Sequence, residues 1–488
     1  MNRTALHLAC LWAGIVLTSQ NLTADPLAAD DSTISGTTPP GTTTTGASTP
    51  TPSSSPTATS NSAGQKGTTT TPEASEPKDA GEKEEAGFWT RDYLTGDWGG
   101  TRNKLADDGF VVTPTWIGEV MGNPTGGAAQ GITEEGVFNV ALDFDLGKMS
   151  EGGVEDLTIH TNAYYIYGPG LSPKYVHDFS NTSNIQAYNT IRLQELWIQK
   201  LFFNQRLSVK VGNMAIDTEF FASSSSALFM NGTYGTFDLI ANNIPNAPVY
   251  PTASPGVRIK YQPSDKFYVM AGVYGMDRDS TQPTDNHYGT DFALDGSSGM
   301  LIMSEAGYLL NQGKDDHGLQ GTYRLGSFVE TANWYNWGSQ AQAALGTGSL
   351  QGAGTNFGIY GVVDQQIFAK DNRVVSVFLR GGGAPSNVNF VNAYIDGGFN
   401  FTGFIPGRAN DVAGVALAHA HVSGNFSDSQ TLQGSAPYTE ETNLEATYKI
   451  QMAPWWTIQP DFQYVMNPSG VVGSPNAVVL GLRTSVAF

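Results

Sequence analysis

Residues 444–464 read Leu-Glu-Ala-Thr-Tyr-Lys-Ile-Gln-Met-Ala-Pro-Trp-Trp-Thr-Ile-Gln-Pro-Asp-Phe-Gln-Tyr. Leu444, Ala446, Tyr448, Ile450 and Met452 alternate with Glu445, Thr447, Lys449 and Gln451; after Ala453-Pro454-Trp455, Trp456, Ile458, Phe462 and Tyr464 alternate with Thr457, Gln459, Asp461 and Gln463. Period two is the strand period, because successive side chains leave a pleated backbone on opposite faces. Three residues between the runs leave room only for a tight turn, so the stretch predicts a β-hairpin.

Working outward, short polar turns recur near Gly152-Gly153, Asn204-Gln205, Pro263-Ser264-Asp265, Gly313-Lys314-Asp315, Lys370-Asp371-Asn372 and Gly407-Arg408-Ala409. With the turn at Pro454, seven turns join fourteen strands. A first strand near Phe110–Met121 and a last near Ala477–Phe488 bring the number to sixteen, and long Gly/Asn/Ser-rich connections alternate with the short ones. Gly352–Gly358 reads as one such loop. Short turns at one end and long loops at the other are the organisation of a transmembrane antiparallel β-barrel. The polar positions of the strands carry Gln, Thr, Asn, Asp, Tyr and Gly with sparse charge, which suits a water-filled lumen better than the Lys/Glu-rich outside of a soluble sandwich.

The composition points the same way. The 488 residues hold 25 Lys+Arg against 45 Asp+Glu, a net charge of −20, which argues against a nucleic-acid partner. Charged residues are 14% of the chain, where soluble domains average roughly 25%. No run of about 18 apolar residues occurs, so membrane crossing falls to strands. Cys10 is the only cysteine, so the segment after it holds no thiolate metal ligand, cysteine nucleophile or disulfide.

Three segments are expected. Residues 1–24 read as a secretory signal, with Arg3, an apolar stretch Leu8–Leu17 and Leu22-Thr23-Ala24 before the cut. Residues 25–87 read as a disordered Thr/Ser/Pro-rich linker in the periplasm: 37 of the 41 residues from Ser32 to Pro72 are Ser, Thr, Pro, Gly or Ala. Residues 88–488 form the barrel, with a net charge of −15. A short helix is expected over Asp97–Asp108, capped by Asp97.

Five stretches carry a resemblance. Leu94-Thr95-Gly96-Asp97-Trp98-Gly99-Gly100-Thr101-Arg102 followed by Gly118-Glu119-Val120-Met121-Gly122-Asn123 resembles the opening of the carbohydrate-selective porin (OprB) family. Similar in turn are Glu195-Leu196-Trp197-Ile198 with Val211-Gly212-Asn213-Met214-Ala215-Ile216-Asp217; Phe229-Met230-Asn231; Ser254-Pro255-Gly256-Val257-Arg258; and Gln459 to Pro468. The resemblance implies a sixteen-stranded outer-membrane barrel of a Gram-negative-type envelope that passes small sugars down their gradient, with no cofactor. The terminal Phe488, on the face of Val478, Leu480, Leu482, Thr484 and Val486, resembles the signal read by the outer-membrane assembly machinery.

A sugar-passing lumen needs donors and acceptors that replace hydroxyl hydration, plus flat apolar surfaces, held weakly enough for release. Alternation places Glu119, Glu195, Trp197, Lys210, Arg258, Lys260, Arg380, Glu445, Lys449 and Asp461 on lumen-facing positions, and Asp217 and Glu219 at the root of the long connection Asp217–Ala253, which either folds inward or lies on the surface. Glu195, Trp197 and Arg258 stand out because they also lie in family stretches. The competing reading of each is a cross-lumen charge that stiffens the wall. Catalytic readings find little: His419 and His421 lack a third metal ligand, and Asp143 with Asp145 is more simply wall than glycosidase. The alternatives to a sugar porin are a general porin for small hydrophilic solutes, among whose partners outer-membrane lipid also counts, and a secreted soluble β-protein. Because residues 1–87 cannot bury a core, a chain that starts at Phe88 behind a foreign export signal is expected to assemble and conduct. Failure of that chain to reach the membrane would assign assembly information to the missing segment.

Overall fold

The computed structural model describes residues 87–149, 154–276, 286–294, 299–313 and 316–488. The signal, the Thr/Ser/Pro linker and the expected turns at Gly152-Gly153 and Lys314-Asp315 lie outside the described residues. Sixteen antiparallel strands are present among those that are described: β1 (Phe110–Thr125), β2 (Gly131–Asp145), β3 (Leu157–Tyr167), β4 (Thr190–Phe202), β5 (Leu207–Met214), β6 (Ser254–Ser264), β7 (Phe267–Gly275), β8 (Met300–Leu310), β9 (Gly321–Tyr335), β10 (Gly352–Lys370), β11 (Arg373–Gly383), β12 (Val391–Thr402), β13 (Val412–Val422), β14 (Glu440–Ala453), β15 (Trp456–Met466) and β16 (Ala477–Ala487). Each pairs with its neighbours in the chain, and β1 pairs with β16 to close the barrel. The glycine-rich stretch Gly352–Gly358, expected as loop, is the start of β10. With no Cβ to pack, glycine hides strand periodicity from a pattern search without preventing ladder pairing.

Burial follows the pleat. In β7, Phe267, Val269, Ala271 and Val273 are exposed while Tyr268, Met270 and Tyr274 between them are buried. The outer wall carries large apolar side chains in the open, among them Ile132, Ile191, Leu325, Ile359, Leu480 and Leu482. A surface of this kind belongs in hydrocarbon, and the closed ladder leaves no strand edge unsatisfied there. Thr484, the polar break in the outward stripe of β16, is provided for: the Trp456 indole N–H donates to its hydroxyl at 2.9 Å. His419 and His421 also lie on the outer face, bonded to Thr442 and Asn392, and not in the lumen or a loop.

The long connection folds inward. Residues 215–253 enter the barrel and bury Phe220, Phe221, Phe229, Tyr234, Phe237, Leu239 and Ile240 against Tyr268, Met270, Tyr274, Met303, Phe328, Tyr360, Phe378 and Tyr394 of the wall, while Met230 packs with Met121, Val465 and Val479 of β1, β15 and β16. The lumen face of β7–β12 therefore carries large apolar side chains between its charged and amide groups, which corrects the expectation of a polar lumen-facing stripe there. Each such ring removed from water contributes about 1.5–3 kcal/mol. Two wall glycines make room: a Cβ on Gly414 would lie 2.5 Å from Leu228 and 2.9 Å from Phe229, and one on Gly382 2.7 Å from Leu239. The β3–β4 connection also turns inward and interlocks with it, Asn184 N–H donating to the Met230 carbonyl and Gly232 N–H to that of Asn181. At the long-loop end, helices α2 (Trp337–Ala344) and α3 (Gly424–Leu432) bring Trp337 onto Phe426, which meets Phe390 and so Phe179 of the inward β3–β4 connection.

The seam is locked from outside the ladder. Helix α1 is shorter than expected, Thr101–Asp107, and its N-cap is Gly100 at φ 84°, with no side-chain cap from Asp97. Gly100 adopts the left-handed backbone needed there, and this sets Arg102 facing back along the seam. Its guanidinium donates to the carbonyls of Gly96 (3.3 Å), Val112 (3.5 Å) and Phe488 (2.5 Å) and packs over the rings of Tyr93 and Trp98. Phe488 N–H in turn donates to Pro114, and its ring meets Phe138 edge-on. Replacing Arg102 by Ala is expected to weaken the closed barrel by about 1.5–3 kcal/mol. The check is the temperature at which the compact band unfolds on semi-native gels, which should fall for Arg102→Ala and hold for Lys104→Ala on the exposed side of α1.

Candidate functional site in the barrel lumen

The lumen-facing residues of β3–β6 converge with the first turn of the inward loop. Lys210 Nζ lies 3.1 Å from Glu219 Oε1, and Arg258 donates to the same carboxylate through Nε (2.7 Å) and Nη2 (2.6 Å). This two-pronged pairing matches guanidinium geometry. Arg258 also donates to the Ser208 hydroxyl (2.6 Å) and to Gln199 Oε1 (3.0 Å), and is 2% exposed. The Glu219 side chain keeps 24% of its surface open. Glu219 belongs to the loop, not to a strand: burial works against its charge, yet Lys210 and Arg258 outweigh this and hold the carboxyl down to about 2. Trp197 carries the Lys210 ammonium 4.2 Å from its ring centre and stacks on His160 at 4.8 Å, and His160 Nδ1 is 2.7 Å from Asp143. Glu195 stands next in line and accepts Ala215 N–H at 3.0 Å.

Six of the twelve sequence-derived residues thus share one wall: Glu195, Trp197, Lys210, Glu219, Arg258 and, over the Tyr268 ring at 4.4 Å, Lys260. Asp217 sits at the loop root, accepting Tyr250 N–H (3.0 Å) and the Thr236 hydroxyl (3.3 Å). The rest are dispersed. Glu119 pairs with Arg483 across the β1–β16 seam, and Arg483 donates to Asn184 at 2.6 Å. Arg380 is fully buried, paired with Asp396 and donating to the Thr233 and Gly235 carbonyls of the loop. Glu445 accepts the N–H groups of Met230 (2.5 Å) and Asn231 (2.9 Å), with Asp461 beside it bonded to Gln463. Lys449 lies half-buried in β14 on the same face as Glu445.

Glu445 is one of a set. Glu305 accepts Phe221 N–H (2.8 Å), Asp364 accepts the Ser223 hydroxyl (2.6 Å) and Ser225 N–H (3.3 Å), and Glu441 accepts the N–H groups of Phe179 and Ser180. Gln459 and Gln463 donate to the carbonyls of Leu228 and Thr182. An inward loop carries peptide groups that have left water, and each needs a partner. Wall carboxylates and amides supply them around the ring. Sequence reading missed Glu305, Asp364, Asp396, Glu441, Arg483, Asn184 and His160 as members of this machinery. The signal was available in Glu305 and Asp364, each the one acid of its strand and at lumen parity.

Asp143 and Asp145 serve separate purposes, the first on His160 and the second accepting Gly147 and Lys148 N–H at the β2 end. Among the described residues, no group of three or more His, Cys, Asp or Glu is placed to hold a metal ion.

Replacing Glu445 by Ala strands two buried N–H donors, at about 1–3 kcal/mol each. The loop should loosen, giving a larger and noisier single-channel conductance and a lower unfolding temperature. An unchanged conductance and transition in Glu445→Ala would show that the loop is held without this contact.

Comparison with known proteins agrees with the geometry. A solved structure similar to this barrel is the high-pH structure of Pseudomonas putida OprB, with a TM-score of 0.75, 25% identity, and coverage of 83% of this chain and all of that one. Among curated proteins, Porin B of Pseudomonas aeruginosa is 26% identical over 428 residues, 81% of this chain and 91% of the relative, and the putative porin QuiX of Acinetobacter baylyi is 25% identical over 434 residues, 82% and 94%. The profile of the carbohydrate-selective porin, OprB family matches residues 129–488. The chain therefore belongs to the carbohydrate-selective porin, OprB family.

Proposed function

We propose that the protein passes small neutral sugars by diffusion across the outer membrane, engaging them in transit at the β3–β6 wall. The observation that carries this is the charge balance of that wall: Glu195, Glu219 and Asp143 stand against Lys210, Arg258 and Lys260, with Glu219 bonded to both Lys210 and Arg258 and Glu195 held by the Ala215 N–H. A balanced array has donors and acceptors in set positions but little net field. It suits an uncharged polyhydroxyl solute, whereas an ion gains little from it. Trp197 and His160 add the apolar surface that sugar C–H faces require. Binding stays weak because the polar groups are already satisfied by one another.

The fold and family are those of a channel, and transport needs no catalytic group. Residues 1–24 direct export, and residues 25–87 lie in the periplasm. Phe488 is read by the assembly machinery before folding, since in the closed barrel its carbonyl is held by Arg102. Lys260, Lys449, Glu119, Asp217, Arg380, Glu445 and Asp461 support the lumen, as the wall and loop scaffold around the transit path.

The test is a planar bilayer recording titrated with mono- and disaccharides. Trp197→Ala and Arg258→Ala should reduce sugar block of the current more than they change open conductance, a loss of about 1–3 kcal/mol where the group contacts the sugar. Leu196→Ala, on the lipid face one position away, should leave block unaltered. If Trp197→Ala and Arg258→Ala both keep wild-type block, the β3–β6 wall is not the site. If the wild-type channel shows no block by any sugar, the general-porin alternative stands in place of the sugar-selective one.

A further inference from the structure

At the short-turn end, three tryptophans form a stack that begins on the barrel wall and leaves it. Trp456 starts β15 on the outer face, in register with Val486 of β16, which in turn pairs with Trp116 of β1. Its ring lies nearly parallel to that of Trp455 in the hairpin turn, with centroids 5.9 Å apart and 14° between planes. Trp455 is covered on its other side by the chain leading into α1: the Trp89 ring stacks on it at 6.2 Å and 20°, and Phe88 meets it edge-on at 5.1 Å. The Trp455 indole N–H donates to the Phe88 carbonyl at 3.0 Å, which fixes this segment to the turn.

Trp455 is buried, and the two rings that cover it from the segment before α1 are not. Trp89 is 60% exposed and Phe88 44%. In water, two such rings side by side are an unfavourable surface, and a segment of this size could turn them inward. At the boundary of a bilayer the same rings are favoured, since an indole buries its apolar body while its edge stays among headgroups. The stack is continuous with the lipid-facing wall through Trp456, so the exposed rings prolong a surface that is already in contact with lipid. The local charge selects the kind of membrane. Arg91 lies over the Phe88 ring at 4.6 Å, and Asp92 and Asp97 follow, so among the described residues this segment offers no basic patch to seek anionic headgroups.

We propose that Phe88 and Trp89 are a membrane-interface foot, seated in the headgroup region of the leaflet at the short-turn end and held by contact with a zwitterionic phospholipid surface. The segment leading into α1 is thereby fastened at the membrane surface beside the β14–β15 turn. This role is independent of which solute the lumen passes.

Site-directed spin labelling of the full chain tests it. Cys10→Ser removes the only cysteine. Nitroxides are then attached singly at Trp89→Cys, at Thr90→Cys, which leaves both rings in place, and at Asn103→Cys on the exposed face of α1. The proteins are reconstituted at low protein-to-lipid ratio in phosphatidylcholine vesicles, and accessibility to oxygen is compared with that to a water-soluble nickel chelate. The expected result is an oxygen-to-nickel ratio several-fold higher at 89 and 90 than at 103, unchanged by salt. In the Phe88→Ser, Trp89→Ser variant, the Thr90→Cys label should fall to the ratio of position 103. The proposal is overturned by an equal ratio at 89, 90 and 103, by a high ratio at 90 that survives loss of both rings, or by dipolar broadening that shows the rings paired with a second copy.

Discussion

Everything in this molecule depends on the requirement that no backbone N–H or carbonyl face hydrocarbon without a partner. An antiparallel sheet meets it only when the last strand returns to the first, and here β16 does so against β1. The same requirement then reappears inside. Once residues 215–253 enter the lumen, their own peptide groups need partners, and Glu195, Glu305, Asp364, Arg380 and Glu445 on five different strands provide them. The polar lumen of the barrel is thus partly consumed as scaffold for the loop.

This division explains why similar residue types end in different roles. Glu219 and Glu445 are both acids inside the barrel, but Glu219 faces two cations with part of its surface open, while Glu445 faces two loop N–H groups and is fully buried. Arg258 and Arg380 differ likewise: one joins the charge-balanced wall, the other ties the loop to β11 and β12. Apolar packing reinforces the arrangement. The rings of Phe229, Phe237 and Tyr234 pack on the inward-facing rings of Tyr360, Phe378 and Tyr394 in β10–β12, which would otherwise confront water.

At the short-turn end the same economy holds on a smaller scale. The pre-barrel segment closes over the seam through Arg102 and over the β14–β15 turn through Phe88 and Trp89. Neither contact extends the ladder, yet the Arg102 contact sits where the first and last strands meet, the place in the barrel where pairing joins residues far apart in the chain. Closure of such a contact carries the largest loop entropy, so extra bonds are best placed there.

The strands were legible in the chain because their information is local. Alternation over Leu444–Met452 and Trp456–Tyr464, and the short turns between runs, need only the pleat to be read, and the observed β14 and β15 begin and end within a few residues of those limits. The parity that put Trp197, Lys210 and Arg258 on one face is equally local. What tertiary structure alone decided is which lumen residues meet across space. Nothing in the neighbourhood of Asp364 says that Ser225, over a hundred residues earlier, will lie against it, and nothing near Gly382 says that its missing Cβ makes room for Leu239. The descent of the loop also overrode an expectation drawn from alternation, since apolar lumen positions in β7 are tolerated only when another part of the chain covers them. Side-chain parity is a property of one strand; the occupant of the space it faces is a property of the closed barrel.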